Sequence, residues 1–332
     1  MLKPRLIATV WLAALLQACA STPVPHTPDL PGMTFYSSEL RDHANQVTST
    51  AAVMRDLSGA DVIVIGELHG HQGSHLLQAR LQAALYQRNP DQILALEAFN
   101  LDNQAPLDLY LAGELGEEEM MADATAWQNY QASYRPLVEF ARRHELPVIA
   151  ANAPAGLVRC VGRQGAGYLE TLPGDEREQL PAHPFPQVSG YRERFMDTMG
   201  QSSHGTPSEK AQQRLENTYQ AQLLRDSTMA DRILRALEHY PNHQLLMITG
   251  TFHSEERQGL VAILEQRAPT LDIRVLTPYQ ASEDEAAQPP PTIAPGDYRY
   301  DLWPLPVRYR SDERQRAAMA QQFGKAREQS CE

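Results

Sequence analysis

Acidic and imidazole side chains follow four separate apolar runs of this sequence. The motif Gly-Glu-Leu-His at 66–69 follows the first run, a Glu and an Asn close the next two, and Gly-Thr-Phe-His at 250–253 follows the fourth. Ligands of open α/β sheets bind outside the carboxyl ends of the strands, where such side chains would meet. We therefore expect one crevice, formed by Glu67, His69, Glu97, Asn152 and His253.

Two carboxylates and two imidazoles in one crevice are suited to two kinds of chemistry. They are donors for a divalent metal ion, and they also form the pairs that general acid and base catalysis requires. The candidate metal ligands are His69, His253, Glu67 and Glu97. The alternative is structural, because a strand-end glutamate also caps or pairs with the following helix. His71 and His75 lie one turn apart, and we expect them to be exposed or capping.

The apolar runs that precede these side chains predict the elements that position them. Short runs rich in β-branched residues lie at 61–66, 92–97, 147–152, 244–249 and 272–276, and segments with helical spacing separate them. This alternation predicts an α/β fold with a mostly parallel sheet flanked by helices. Residues 297–303 are aromatic enough to add a last edge strand, and residues 154–240 predict an inserted helical subdomain.

The N-terminus has the features of a targeting signal. Two basic residues precede an apolar run at 6–16 that is too short to span a bilayer, and Leu-Gln-Ala-Cys at 16–19 resembles a bacterial lipobox. We predict a lipoprotein signal peptide over 1–18, lipidation of Cys19, and an outer-membrane location facing the periplasm. The alternative is an ordinary signal peptide. With the signal peptide at 1–18, we predict a tether over residues 19–50, the α/β domain over residues 51–305 and a charged tail over residues 306–332.

The composition excludes several classes of protein. The chain has 29 Lys and Arg against 41 Asp and Glu, and this net charge of −12 argues against a nucleic-acid partner. A mean hydropathy of −0.45 excludes a multi-span membrane protein. Three cysteines are too few for a fold that is held together by several disulfides, and too few for a zinc site with four cysteine ligands. If Cys19 is lipidated, Cys160 and Cys331 either pair in an oxidising compartment or leave Cys160 buried and free.

The order and spacing of six motifs resemble the ChaN family of haem-binding uptake lipoproteins, within the Tiki superfamily. The motifs are Gly-Glu-Leu-His at 66–69, Leu-Glu-Ala-Phe at 96–99, Tyr-Arg-Pro at 134–136, Ala-Asn-Ala-Pro at 151–154, the helical segment 221–230, and Gly-Thr-Phe-His at 250–253. The resemblance covers residues 55–305. It implies binding of ferric haem, as a cofacial pair between two protomers of a homodimer, with a tyrosinate as the iron ligand.

For single residues, the resemblance implies that Tyr134, and second Tyr130, are the candidate haem ligands. His204 would reach the haem propionates or a partner subunit. The lipobox predicts membrane attachment through the lipid anchor, and the sequence leaves open whether the partner is a TonB-dependent receptor or a periplasmic haem carrier.

Three functions are compatible with these features. We favour a membrane-anchored, haem-binding lipoprotein of haem and iron uptake, which performs no catalysis. The alternative is a metal-dependent hydrolase of the Tiki or erythromycin-esterase-like type. In that hydrolase His69 and His253 would bind the metal or act as a general base. Glu67 would position or activate the attacking water, and Glu97 would complete the set of metal ligands. The third is a structural lipoprotein with a vestigial site.

Overall fold

The predicted apolar runs form the centre of a seven-stranded sheet in the computed structural model, which describes residues 34–200, 208–280, 290–327 (322–327 by backbone alone) and 330–331. The strands are β1 (Ser38–Arg41), β2 (Val62–Glu67), β3 (Gln92–Asn100), β4 (Val148–Asn152), β5 (Gln244–Gly250), β6 (Ile273–Gln280) and β7 (Tyr298–Leu302). Their order is β1-β7-β6-β2-β5-β3-β4, and only β1 pairs antiparallel. The predicted α/β class with a mostly parallel sheet is confirmed.

In the described part of the chain, α-helices connect the strands and cover both faces of the sheet. They are α1 (Thr50–Leu57), α2 (Gln72–Tyr86), α3 (Gln104–Leu111), α4 (Glu117–Asp123), α5 (Tyr130–Ser133), α6 (Arg135–Arg143), α7 (Ala155–Gln164), α8 (Gly174–Glu178), α9 (Tyr191–Gly200), α10 (Glu209–His239), α11 (Leu260–Arg267) and α12 (Asp312–Arg327). Helices α7 to α10 lie between β4 and β5. Among the described helices, none has the length and hydropathy needed to cross a bilayer.

Strand β2 is buried on both faces because its alternate side chains enter two different cores. Ile63 and Ile65 pack with residues of α1 to α6, whereas Val62 and Val64 pack with residues of α9 to α11. A strand that is covered on both sides needs an apolar side chain at every position. This double burial is the reason that β2 appears in the sequence as one continuous apolar run.

The edge of the sheet differs from the sequence-based prediction. The predicted edge strand is β7, which lies inside the sheet between β1 and β6. Tyr300 holds β7 there, because its ring is fully buried and its hydroxyl bonds to Ser74 Oγ at 2.6 Å and to the Gly66 carbonyl. The strand at this edge of the sheet is instead β1, which lies in the segment 19–50 that we predicted to be a tether. Only Leu40 of its four residues is buried, so β1 has no apolar pattern to predict it.

The segment predicted as a charged tail contains a helix and a disulfide. The described side chains of α12, up to residue 321, are almost all exposed to solvent. Beyond α12, Cys331 is bonded to Cys160 of α7, with 5.6 Å between the two Cα atoms. Of the two alternatives for these cysteines, the structure therefore has the paired one, which an oxidising compartment permits.

This disulfide predicts how a proteolytic fragment will behave. Trypsin should cut at the exposed arginines of 308–316, and the peptide that carries Cys331 should stay attached to the body until a reductant is added. Electrophoresis with and without reductant measures the attachment. Cys331→Ser should release the peptide without reductant, while the control Cys19→Ser should retain it. Release of the peptide from oxidised wild-type protein would contradict the pairing.

Candidate functional site

The residues predicted to form the crevice lie where β2 and β5 end side by side, and we keep the name crevice for this group. In their parallel register Gly66 is paired with Thr249 and Glu67 with Gly250, so the two following loops leave the sheet at one level. Strand β3 lies on the other side of β5 and contributes Glu97. The structure thus brings together the charged residues predicted for the crevice, which are Glu67, His69, Glu97 and His253.

Glu67 is the centre of one hydrogen-bonded cluster. Its Oε1 accepts from the hydroxyl of Tyr134 at 2.5 Å and from Nδ1 of His69 at 2.8 Å. Its Oε2 accepts from Nε2 of Gln78 at 2.7 Å and lies 3.5 Å from Nδ1 of His75. The hydrogen bond to Glu67 raises the pKa of His69 and outweighs the opposing effect of burial. The carboxylate of Glu67 thus stabilises the protonated form of the His69 imidazole.

Glu97 is the centre of a second cluster. Its Oε2 accepts from the hydroxyl of Thr249 at 2.8 Å and from the N–H of Gly250 at 2.7 Å. Its Oε1 lies 3.4 Å from Nε2 of His253, whose Nδ1 donates to Asp226 at 2.6 Å. Burial alone would lower the pKa of His253, but the charges of Glu97 and Asp226 outweigh it and raise the pKa to about 10. His253 is therefore an imidazolium at neutral pH.

The carboxylate of Glu97 is charged for the same reason. Burial would raise the pKa of Glu97, but the adjacent charge of His253 outweighs burial and holds that pKa well below its usual range. On the far side of the imidazole, Asp226 also accepts from the hydroxyl of Tyr191 at 2.7 Å. A buried cation between two buried anions has the compensation that charges need in a protein interior.

The two clusters meet at Gly250. A Cβ atom at this position would lie 2.8 Å from Nε2 of His69 and 3.6 Å from Oε2 of Glu97. Only glycine therefore leaves room for the imidazole of His69 to approach the end of β5. The ring of Trp127 packs edge-on against His69 and Tyr134, with centroid distances of 5.2 and 5.8 Å.

Asn152 lies at the same edge of the sheet and connects backbone segments. Its Nδ2 donates to the carbonyl of Glu97 at 3.1 Å, and its Oδ1 accepts from the N–H of Ala153 at 2.9 Å. The amide nitrogen thus connects the end of β4 to β3, and the amide oxygen fixes the turn that follows β4. Asn152 supports the position of Glu97 in the crevice.

The two candidate haem-ligand tyrosines are both buried. Tyr134 is 2% exposed, and Tyr130 is 1% exposed with its ring 5.7 Å from that of Phe99. The hydroxyl of Tyr130 has no hydrogen-bond partner among the described residues. Burial raises the pKa of both phenols, and the charge of Glu67 adds to this effect at Tyr134. Both phenols are therefore neutral. The predicted sites His204 and Cys19 lie outside the described residues.

Several site residues were not predicted from the sequence. His75 is 6% exposed and its Nδ1 bonds to Oε1 of Gln78 at 3.0 Å, so the expectation of an exposed His75 is wrong. Its Nε2 accepts from the N–H of Gly70, just before α2, at 3.1 Å. His71 does cap α2. The sequence contains an indication of the buried role of Asp226 that our prediction did not use. It interrupts the apolar face of α10, and an acid in such a face needs a buried partner.

The described residues contain no group of three or more His, Cys, Asp or Glu side chains that could hold a metal ion. The carboxylates of the crevice already accept hydrogen bonds. Glu67 accepts from Tyr134, His69 and Gln78, and Oε2 of Glu97 accepts from β5. The expectation of a divalent metal gains no support from this geometry.

Comparison with known proteins shows which family has these motifs. The family model described as haem-binding uptake, Tiki superfamily, ChaN matches residues 53–264. The chain belongs to the ChaN family. The solved structure titled as cofacial haem binding to ChaN of Campylobacter jejuni has 16% sequence identity and a TM-score of 0.58, over 79% of this chain and 96% of that one. This likeness supports the fold of the ChaN-family chain.

Two other similarities are more distant. An erythromycin esterase in its open conformation matches with 14% identity and a TM-score of 0.40, over 82% of each chain. The chloroplastic protein RETICULATA-RELATED 5 of Arabidopsis thaliana is 28% identical over 186 residues, which are 53% of this chain. This chain spans 24% of the length of that curated relative.

The buried imidazolium predicts a pH-dependent loss of stability. His253→Gln should lower the free energy of unfolding by about 3–5 kcal/mol near pH 6, because it leaves two buried carboxylates without their cation. The pKa of His253 is about 10 in the folded protein and 6.5 in a model peptide. The stabilisation by the imidazolium is therefore complete below about pH 6.5 and is lost as the pH rises to about 10.

Urea denaturation at about pH 6 and about pH 9.5 measures this effect. The difference between wild type and His253→Gln should shrink at the higher pH. The exposed His239 provides the control, because His239→Gln should leave the free energy of unfolding almost unchanged at both values. A difference that is equally large at both pH values would show that His253 does not act through its charge.

Proposed function

We propose that this ChaN-family protein binds ferric haem at the crevice, and that it does so as a lipid-anchored protein of haem and iron uptake. The lipid is attached to Cys19, and the protein faces the periplasm from the outer membrane. The contact between the Tyr134 hydroxyl and Glu67 is the observation that carries this proposal. It places a potential iron ligand next to a group that can accept its proton.

The donor set of the crevice fits ferric haem. A phenolate oxygen stabilises Fe(III), which is the chemistry that bound haem requires from the protein. Glu67 Oε1 accepts the phenolic hydrogen of Tyr134 at 2.5 Å, so this carboxylate can hold the proton once the phenol is ionised. The imidazole of His69, whose pKa is raised by its hydrogen bond to this carboxylate, lies 2.8 Å from the same oxygen and can offset the added negative charge when it is protonated.

Access to this phenol depends on Trp127. Tyr134 is 2% exposed, and the indole of Trp127 packs against both Tyr134 and His69. A side chain that buries Tyr134 must move for a ligand to reach the phenolic oxygen, and Trp127 is the candidate because it also contacts the half-exposed His69. An indole next to the opened site also offers the aromatic surface that a flat apolar ligand packs against.

Tyr130 is the second candidate ligand. Its buried hydroxyl has no partner among the described residues, and an unsatisfied buried hydroxyl costs about 1–3 kcal/mol. An iron ligand bond would satisfy this oxygen. However, no carboxylate accepts the proton of Tyr130 in the described part of the chain, whereas Glu67 accepts that of Tyr134. This difference favours Tyr134.

The proposal also includes partners of the protein. Two protomers would hold a cofacial haem pair, with His204 reaching the propionates or the partner subunit. A TonB-dependent receptor or a periplasmic haem carrier would exchange haem with the protein.

Titration of the purified protein with hemin tests the proposed ligand. Wild type should give a saturable shift of the Soret band, and Tyr134→Phe should weaken the binding by at least about tenfold, which corresponds to about 1.4 kcal/mol. Tyr110→Phe is a matched control, because Tyr110 is also buried and also donates to a glutamate, Glu139. Glu67→Gln should weaken binding as well, because an amide cannot accept the phenolic proton.

Binding by Tyr134→Phe that equals wild type would exclude Tyr134 as the ligand, and the same titration of Tyr130→Phe would then test the second candidate. Circular dichroism of each variant checks that it is folded. Stoichiometric zinc or manganese in a protein that gives no hemin shift would instead favour the metal-dependent hydrolase.

A further inference from the structure

Exposed apolar side chains concentrate in two short segments of the chain. In the described part of the protein, five of the nine exposed large hydrophobic residues lie at 35–36 and 305–309. We call this group, together with the two arginines of the second segment, the rim patch. Its members are Phe35, Tyr36, Leu305, Val307, Arg308, Tyr309 and Arg310. Val307 and Tyr36 are 69% and 61% exposed, which is unusual for side chains of this kind.

The two segments of the rim patch emerge side by side at the N-terminus of α2. Ser38 of β1 is paired with Leu302 of β7, so the residues before β1 and after β7 leave the sheet together. The carbonyl of Phe35 lies 3.0 Å from where a Cβ of Gly73 would be. The carbonyl of Trp303 accepts from Nε2 of His71 at 2.8 Å. Gly73 is in the first turn of α2, and His71 caps that helix.

Both segments of the rim patch therefore begin at the same edge of the sheet as the crevice. Helix α2 begins five residues after Glu67, and β7 is parallel to β6 and β2, so all their carboxyl ends point the same way. The imidazole of His69 and the residues that contact the rim patch are separated by a single turn of chain.

The charge of the rim patch is opposite to that of the whole protein. Residues 34–38 and 303–311 contain two arginines and no acid, in a chain whose net charge is −12. The acids on the sheet side of the two segments, Glu39 and Asp301, are both ion-paired with Arg41. Asp312 and Glu313 follow the second segment in the first turn of α12, and residues 303–316 together contain four arginines and these two acids. Aromatic and aliphatic side chains next to arginines are typical of surfaces that insert into the headgroup region of an anionic bilayer.

The chain itself brings this surface to a membrane. Thr34, the first described residue, follows the proposed lipidation site Cys19 by 15 positions, which span at most about 50 Å when extended. This step rests on the proposed lipid anchor. The tether ends directly before Phe35 and Tyr36, so the rim patch includes the described residues that are nearest along the chain to the proposed anchor.

We propose that the rim patch docks on the headgroup region of an anionic lipid bilayer and so holds the mouth of the crevice next to the membrane. A second copy of this chain is the competing occupant. A two-fold interface through this surface would bring Arg308 and Arg310 of both copies into one contact area, where like charges repel. Lipid phosphates provide the complementary charge. The docked orientation lets an apolar ligand pass between bilayer and crevice without crossing bulk water.

Vesicle binding tests the docking without the anchor. The mature chain from residue 19, carrying Cys19→Ser, is sedimented with vesicles of phosphatidylethanolamine and phosphatidylglycerol. The combined variant Phe35→Ser, Tyr36→Ser, Val307→Ser should lose at least about tenfold in partitioning, because its apolar side chains no longer insert. The matched control Val47→Ser, Leu109→Ser, Met199→Ser removes the same number of exposed apolar side chains elsewhere and should partition like the parent.

Two further measurements separate the outcomes. Arg308→Gln with Arg310→Gln should weaken binding to these vesicles and have little effect on binding to vesicles of phosphatidylcholine alone. Hemin titration of the Ser variants in lipid-free buffer should match the parent, so a failure of haem binding and a failure of docking are distinguishable. The proposal is overturned if the parent does not sediment with anionic vesicles or if the patch and control variants lose binding equally. It is also overturned if light scattering shows a dimer that the patch substitutions dissolve.

Discussion

Mutual neutralisation of buried charges at the ends of β2, β3 and β5 is the constraint on which the rest of this structure depends. Even after relaxation, each ion taken out of water costs several kcal/mol unless an opposite charge or strong hydrogen bonds compensate it. Glu97 and Asp226 are compensated by one imidazolium, that of His253, and Glu67 by three hydrogen-bond donors. Strands and helices that are far apart in the sequence must therefore bring these charged side chains to the same edge of the sheet. Helix α10 is needed for Asp226 as much as the sheet is needed for Glu97.

The same constraint shapes the proposed haem site. Tyr134 is neutral because it is buried and next to a carboxylate, and this carboxylate is also the nearest acceptor for its proton. Ligand binding and proton transfer are thereby linked at Glu67. Trp127 packs against both the buried phenol and the half-exposed imidazole of His69, so movement of the indole would uncover the phenol beside an imidazole that solvent already reaches. A closed, neutral phenol that ionises only when a ligand arrives suits a protein that both takes up and gives away its cargo.

The position of β7 connects this site to the surface of the protein. Its inner place in the sheet directs the chain after Leu302 to the N-terminus of α2, where the segment before β1 also lies. Tyr300 fastens β7 to the carbonyl of Gly66, the residue before Glu67. The buried side chain of Tyr300 thus connects β2, which leads to the crevice, with β7, which leads to the rim patch. An apolar, cationic surface beside an acidic crevice gives this edge of the sheet two distinct chemical faces.

The sequence by itself determined the α/β class, the central strands and the residues that end them. It did so because strands buried on both faces require continuous apolar runs, and chemistry-bearing side chains follow those runs directly. Only the tertiary structure decided which buried groups meet. Tyr134 and Glu67 are 67 positions apart, and His253 and Asp226 are 27 apart on different elements. The tertiary structure also decided the place of β1 in the sheet, the bond between Cys160 and Cys331, and the burial of His75. Periodicity records which side of an element is buried, whereas pairing depends on strand register and on how helices cross the sheet, and neither leaves a local pattern in the chain.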